Sequence, residues 1–335
     1  MLEKLCSIIG VSGSEERVRD FVSKEIAPYC DELYQDNIGN LIAFKSGEKR
    51  SSKKLMLCAH LDEIGFIATY IEENGLIRFD AVGGISDTVA SGRRVVFENG
   101  VLGVIAPGAF HLSDKDKNDV APKIEDSFID IGASSKEETL KYISVGDTAS
   151  FEREYRLSGD RVFAPALDDR IGVLSLINII KKDIPFDTYF VFTVMEEVGL
   201  RGARVAANNI CPDYAIVLEG TTAADIPSTP EHKKVCKIGG GATVSFMDRS
   251  TVYDKELYNL VLKTADEENI PCQVKSVVAG GNDSGAIHIS GKGVKTAAVS
   301  VPCRYIHSGL SSCSLKDVKA QEDLAFALIK RIGSL

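Results

Sequence analysis

Four apolar runs in this chain each lead to a side chain able to ligate a metal. Lys54-Leu55-Met56-Leu57-Cys58-Ala59 leads into His60, and Tyr189-Phe190-Val191-Phe192-Thr193-Val194-Met195 into Glu196-Glu197. Tyr214-Ala215-Ile216-Val217-Leu218 leads into Glu219, and Ala297-Ala298-Val299-Ser300-Val301 is followed within six residues by His307. Asp168 opens a further segment, Leu167-Asp168-Asp169-Arg170-Ile171-Gly172, at the head of a helix-like stretch. Imidazole nitrogen and carboxylate oxygen are donors that Zn²⁺-like ions accept. Two His and three carboxylates suit one such ion, or a pair bridged by a carboxylate.

Adjacent Glu196 and Glu197 can divide the labour. One would bind metal; the other would take a proton from water acidified to a pKa of about 7. A base held there contributes ~10²–10⁴-fold in rate. Successive strand side chains face opposite ways, so both acids reach one site only through a turn, which Gly199 would permit. Asp62 lies two residues past His60, placed to accept the second ring N–H and fix the tautomer. Arg170 is expected to pair with Asp169, leaving Asp168 to face the metal. Gly280-Gly281-Asn282-Asp283-Ser284-Gly285 lacks the glycine spacing of a dinucleotide fingerprint and reads as a wall beside a substrate. An acid pair is usually a solvated surface feature, and a lone His usually structural. The apolar runs before them argue otherwise here. His111, His232 and His288 have no carboxylate context and are expected to be structural.

The elements that position these groups follow from pattern. A short continuous apolar run reads as a strand buried on both faces, and open α/β sheets bind ligands beyond the carboxyl ends of their strands. Residues 1–30 read as helical, with Ser14 as a cap. Strands are expected at 40–44, 54–59, 189–195 and 214–218, with a strand-like piece at 273–278. Helices are expected at 170–181, 202–208, 254–268 and 315–332, the last capped by Ser314. Between Thr69 and Val162 glycine becomes frequent and short strands replace helices. There Asn99-Gly100 predicts a hairpin with a type I′ turn. The chain is therefore read as an α/β catalytic domain, residues 1–68 and 163–335, interrupted by an all-β domain at 69–162.

Composition narrows the class. The chain has 335 residues, 44% hydrophobic, with a net charge of −9. That supports a large core and excludes a disordered chain. It argues against a nucleic-acid binder, which shows a basic patch. No stretch reaches the ~20 apolar residues that span a bilayer, and no leader is evident, so a cytoplasmic location is expected. Eight scattered cysteines form no Cys-x-x-Cys pair, against a thiolate zinc knuckle. Cys303 and Cys313, flanking His307, read as reduced structural thiols.

Taken together, five segments resemble one family. They are Ala59-His60-Leu61-Asp62-Glu63-Ile64-Gly65, Ala166-Leu167-Asp168-Asp169-Arg170-Ile171-Gly172, Glu196-Glu197-Val198-Gly199, Gly280-Gly281-Asn282-Asp283 and Arg304-Tyr305-Ile306-His307-Ser308. In this order they resemble the M42 metalloaminopeptidases, the tetrahedral (TET) and glutamyl aminopeptidase family. The resemblance spans essentially the whole chain. It implies a three-layer α/β/α catalytic domain with a mixed sheet and a small β insertion for dimerisation and assembly. It also implies two divalent ions per subunit, Zn²⁺ or Co²⁺ with Mn²⁺ as a further option. Asp168 would bridge them, His60 and Glu219 would hold one, and Glu197 and His307 the other. Glu196 would be the general base, Asp62 the orienter of His60, and Gly280, Gly281 and Asn282 the substrate wall. The activity implied is removal of N-terminal residues from short peptides, by a homo-oligomer of dimers amounting to a dodecamer. The chain departs from the family pattern at Glu219, where many relatives carry Asp, at Asn282-Asp283-Ser284, and after His307-Ser308. Competing readings are a di-metal dipeptidase, carboxypeptidase or N-deacylase, and an endoglucanase. The last needs two carboxylates and no metal, which leaves His60, His307 and Asp168 without a role.

Overall fold

Alternation along the strands sorts their side chains into two layers. Leu55, Leu57 and Ala59 face one side of the central sheet, with Phe190, Phe192, Ile216, Leu218, Ala297 and Val299. Met56, Cys58, Val191, Ala215 and Val217 face the other, as the two-residue period of a strand requires. A computed structural model describes residues 1–107 and 122–335; His111 lies outside that set. The first face is covered by helices Glu16–Ile26, Leu167–Ile180, Lys255–Glu267 and Leu315–Gly333, the second by Arg201–Ile210 and Ser284–Ile287.

The sheet has eight strands in the order Glu32–Gln35, Leu41–Lys45, Thr188–Thr193, Leu55–His60, Tyr214–Thr222, Lys295–Cys303, Ala242–Val244 and Cys272–Val274. The third to sixth of these run parallel, and antiparallel pairings bound them on either side, so the sheet is mixed. In register, Thr193 faces His60 and Val217 faces Cys58. His60, the Glu196–Glu197 turn, Glu219 and His307 therefore emerge at one rim.

Between the sheet's third and fourth strands in sequence lies a closed six-stranded barrel, ordered Gly65–Ile71, Ile77–Val82, Ser127–Asp130, Leu102–Pro107, Arg94–Phe97 and Thr148–Phe151. Phe66 anchors its core edge-on to Phe79 and Phe151, ring centroids 5.4 and 5.3 Å away. Strand Arg161–Ala164 then pairs with Ser311–Ser314, beside the His307 loop.

Glu63 ties the barrel to the sheet domain. Its carboxylate accepts from Gly10 N (2.9 Å), Ser150 Oγ (2.9 Å), Arg153, and Arg170 Nη2 (3.4 Å). Arg170 is fully buried and also donates to the carbonyls of Leu5 (2.6 Å) and Ile8 (3.1 Å). This corrects the expected Arg170–Asp169 pair. Asp169 instead accepts from Gly172 N (3.0 Å) and His60 N (3.2 Å), capping the helix that begins behind it.

Other local expectations also change. Residues 1–30 form two helices, Leu2–Ser7 and Glu16–Ile26, and a short 3-10 turn, with no cap bond from Ser14. Glu32–Gln35 is an unforeseen edge strand, and Thr188–Thr193 stops before Met195, which has a left-handed φ of 54°. The hairpin at Asn99-Gly100 forms, but the positive φ falls on Gly100 alone (90°). That is the pattern of a three-residue loop with a bulge, not a type I′ turn. Ser314 does cap the last helix, accepting from Lys316 N. No helix among the described residues is long and apolar enough to cross a membrane.

Candidate metal centre

Both histidines present Nε2 to a cluster of carboxylates. His60 Nδ1 lies 3.0 Å from the backbone carbonyl of Asp62, which fixes it as the donating nitrogen and leaves Nε2 as an acceptor. Nε2 is 3.2 Å from Glu219 Oε1, 3.6 Å from Asp168 Oδ1 and 4.0 Å from Glu196 Oε2. His307 repeats the device: Nδ1 is 3.0 Å from the Gly84 carbonyl, and Nε2 is 3.4 Å from Glu197 Oε2 and 3.9 Å from Asp168 Oδ2. Gly84 belongs to the segment after the barrel strand Ile77–Val82. A Cβ there would stand 3.0 Å from His307 Nδ1.

Ligand atoms fall into overlapping groups, each within 4.8 Å: His60, Asp168 and Glu219; Asp168, Glu197 and His307; and His60, Glu196 and Glu197. Asp168 belongs to the first two, with one oxygen toward each histidine. All six residues line one cavity of about 360 Å³, with Gly280, Gly281 and Asn282 on its wall. The Asn282 amide is turned to Asp248 (3.3 Å) and Tyr253 (3.0 Å). His288 directs Nδ1 to the Ser284 carbonyl and His232 is exposed; neither joins the cluster.

Asp62 holds the acid pair. Oδ1 accepts from Glu196 N (3.0 Å), and Oδ2 from Glu197 N (3.1 Å) and Ser12 Oγ. Oδ1 lies 3.4 Å from His60 Nδ1, so Asp62 meets the imidazole chiefly through its carbonyl while its carboxylate shapes the turn. Gly199, at φ 116°, supplies the reversal. Two residues of the N-terminal segment, Ser12 and Glu15, brace this turn from behind. Glu15 accepts from Met195 N (3.0 Å) and Gly13 N (2.8 Å). Nothing in their local sequence marks contacts so distant along the chain.

Electrostatics describe a site built around positive charge. Burial opposes charge on His60, but Glu219, Asp168 and Asp62 outweigh it and push its pKa well above the usual range. Burial pushes Glu196 and Glu219 well above the carboxylate range, and Glu197 to about 7. Crowded carboxylates in a low dielectric ionise only beside a cation. Asp168 Oδ1 and both Glu219 oxygens are buried and make no hydrogen bond among the described residues. Buried oxygens are normally bonded, so these fit a metal ion.

Glu15 offers a separate pH test. It is 4% exposed, and burial pushes its pKa up to about 7 against the bond from Gly13. The folded state then binds the extra proton, so this group removes stability as pH rises from about 4.5 to 7. Glu15→Gln keeps an acceptor oxygen without the charge. In metal-free protein, the variant should lose less stability between pH 5 and pH 8 than the parent, by urea midpoint. Equal losses would show that Glu15 is not responsible.

A mixed α/β sheet with a barrel inserted and an imidazole–carboxylate cluster at its rim is metallopeptidase architecture. Residues 39–324 match the M42 glutamyl aminopeptidase model. The chain belongs to the M42 family and is an aminopeptidase of that metal-dependent class. A putative aminopeptidase of Acetivibrio thermocellus is 42% identical over 320 residues, 95% of this chain and 94% of its own. The lysyl aminopeptidase of Pyrococcus furiosus is 33% identical over 346 residues, 99% and 96% respectively. The TET1 peptidase of Pyrococcus horikoshii, which can assemble into a tetrahedron or a large octahedral shell, superposes with a TM-score of 0.87. It is 36% identical, with 98% of each chain covered.

Proposed function

We propose that the chain removes N-terminal residues from short peptides at a centre of two divalent ions, with Glu196 as general base. The observation that carries this reading is the grouping of ligand atoms about Asp168, with His60 and Glu219 to one side and Glu197 and His307 to the other. His60, Asp168 and Glu219 would hold one ion, and Asp168, Glu197 and His307 the second. Zn²⁺, Co²⁺ and Mn²⁺ all accept such nitrogen and oxygen donors. The bound ions would supply Lewis acidity, polarising the scissile carbonyl and making water acidic near neutral pH.

The remaining work falls to side chains. Glu196, left over when the two ligand sets are filled, would take the proton of the attacking water and pass it to the leaving amine. Asp62 would keep Glu196 and Glu197 apart in role by fixing both backbone N–H groups. Gly280 and Gly281 would let a peptide lie close along the wall, with Asn282 bracing their loop.

The assembly belongs to the same reading: a dodecamer built from dimers, joined through the inserted domain spanning 69–162. Leu102, Val104, Leu140, Tyr142 and Val145 are exposed there, apolar surface that a subunit contact would cover. A cytosolic location is supported by eight free cysteines.

Metal removal tests both parts. Elemental analysis should find up to two divalent ions per chain. Chelation should abolish hydrolysis of a free-amine peptide but leave the protein folded, and adding Zn²⁺ or Co²⁺ should restore it. Full activity in metal-free protein would sink the proposed chemistry. Light scattering on the same samples should give about twelve subunits when metal is present; a fully active monomer would end the assembly reading alone.

A further inference from the structure

The two halves of the centre stand on different ground. His60 and Glu219 belong to the sheet strands Leu55–His60 and Tyr214–Thr222. The carbonyl that orients His60 comes from Asp62, two residues on. His307 lies instead in the loop between the strands Lys295–Cys303 and Ser311–Ser314, at a left-handed φ of 58°. Its side chain is 39% exposed, against 2% for His60. The carbonyl that orients its ring is borrowed from the barrel, at Gly84. The same loop meets the barrel again at Gly309, where an added Cβ would stand 3.1 Å from the Phe151 ring.

Glu197 rests on the same turn. A Cβ on Gly83 would stand 3.3 Å from Glu197 Cβ and 2.8 Å from Ile64 Cγ2. Gly83 also has a φ of 82°, which residues with a Cβ rarely adopt. Two adjacent glycines thus let the barrel chain close on both outer ligands, Gly83 against the stem of Glu197 and Gly84 against the ring of His307. Among the described residues, the turn makes no hydrogen bond to His60 or Glu219. A carbonyl that accepts the far N–H of a ligating imidazole fixes its tautomer and its direction, and so the affinity of the ion it holds.

We infer, on the two-ion reading above, that the Gly83–Gly84 turn of the inserted barrel is a positioning element for one ion of the pair. That ion is the one held by Asp168, Glu197 and His307. The barrel thereby sets the affinity of half the centre, while the His60 and Glu219 half is set by the sheet domain alone.

The test adds Co²⁺ to metal-free protein and follows binding by calorimetry, so the readout does not depend on turnover. The parent should take up two ions. His307→Ala should abolish one step and so identify it. In Gly84→Ala the new Cβ would stand 3.0 Å from His307 Nδ1, so the ring or the carbonyl must shift. That variant should weaken the same step by about tenfold to a hundredfold, the usual effect of disturbing a group that orients a metal ligand. The other step should not move. In the His307→Ala background, Gly84→Ala should change nothing further. Gly103→Ala controls for folding. It forces a Cβ to 2.6 Å from Ile129 Cγ2 inside the barrel, and should lower the urea midpoint without moving either step. Parent-like binding by Gly84→Ala, or equal weakening of both steps, would overturn the inference. So would a Gly103→Ala variant that weakens the His307 step as much as Gly84→Ala, because barrel stability and not the turn would then set affinity. A parent that binds no more than one ion sinks the two-ion reading itself.

Discussion

Glu196→Gln should lose ~10²–10⁴-fold in turnover and keep its metal, whereas Glu197→Gln should lose metal first. The two residues are neighbours, both raised in pKa by burial, and differ in what they face. Glu197 Oε2 is 3.4 Å from His307 Nε2, while Glu196 Oε2 is 4.0 Å from His60 Nε2. Each substitution preserves volume and removes one charge, so the contrast isolates role from packing. Metal content at limiting Zn²⁺ should therefore fall in Glu197→Gln alone, and excess metal should recover part of its turnover. No amount of metal should rescue Glu196→Gln. Matching metal loss in both variants would refute the division of labour.

The second large effect is structural. Glu63→Leu should destabilise the protein by ~3–5 kcal/mol, the usual result of stripping one partner from a buried ionic cluster. Arg170 would remain fully buried, with only the Leu5 and Ile8 carbonyls to receive it. Gly10 N and Ser150 Oγ would lose their acceptor as well. Those groups come from both the sheet domain and the barrel, so denaturation should show the two units coming apart at lower urea. Replacing Glu63 and Arg170 together by apolar residues should recover part of the loss. A shift below about 1 kcal/mol for Glu63→Leu would mean that the barrel is held by other contacts.

Much of this was legible in the chain because the candidate ligands sit where buried strands stop. A continuous apolar run fixes both the strand and its end, and in a parallel sheet the ends share a rim. That logic located His60, Glu196, Glu197 and Glu219, and the helix head located Asp168. What stayed hidden depends on contacts between segments far apart in sequence. Gly84 reaches His307 by its backbone carbonyl, which no residue type announces. Glu15 braces Met195 across the fold, a contact that its place beside the expected cap Ser14 does not announce. Arg170 turned from its neighbour Asp169 to Glu63, because helix capping had already engaged the nearer carboxylate. The type I′ turn at Asn99-Gly100 failed for a local reason: Gly100 alone takes the positive φ, and the loop grows by one residue.

The order of the ligands along the chain has a consequence for how the protein is made. His60 is synthesised early, before the barrel. His307 comes much later, after the strand Lys295–Cys303 that fills its place in the sheet beside Tyr214–Thr222. A polypeptide not yet extended to His307 would therefore hold half of the proposed centre, with the Glu197 side lacking its imidazole. On the proposed reading, hydrolytic competence would wait until the strand Lys295–Cys303 has joined the sheet and carried His307 to the rim.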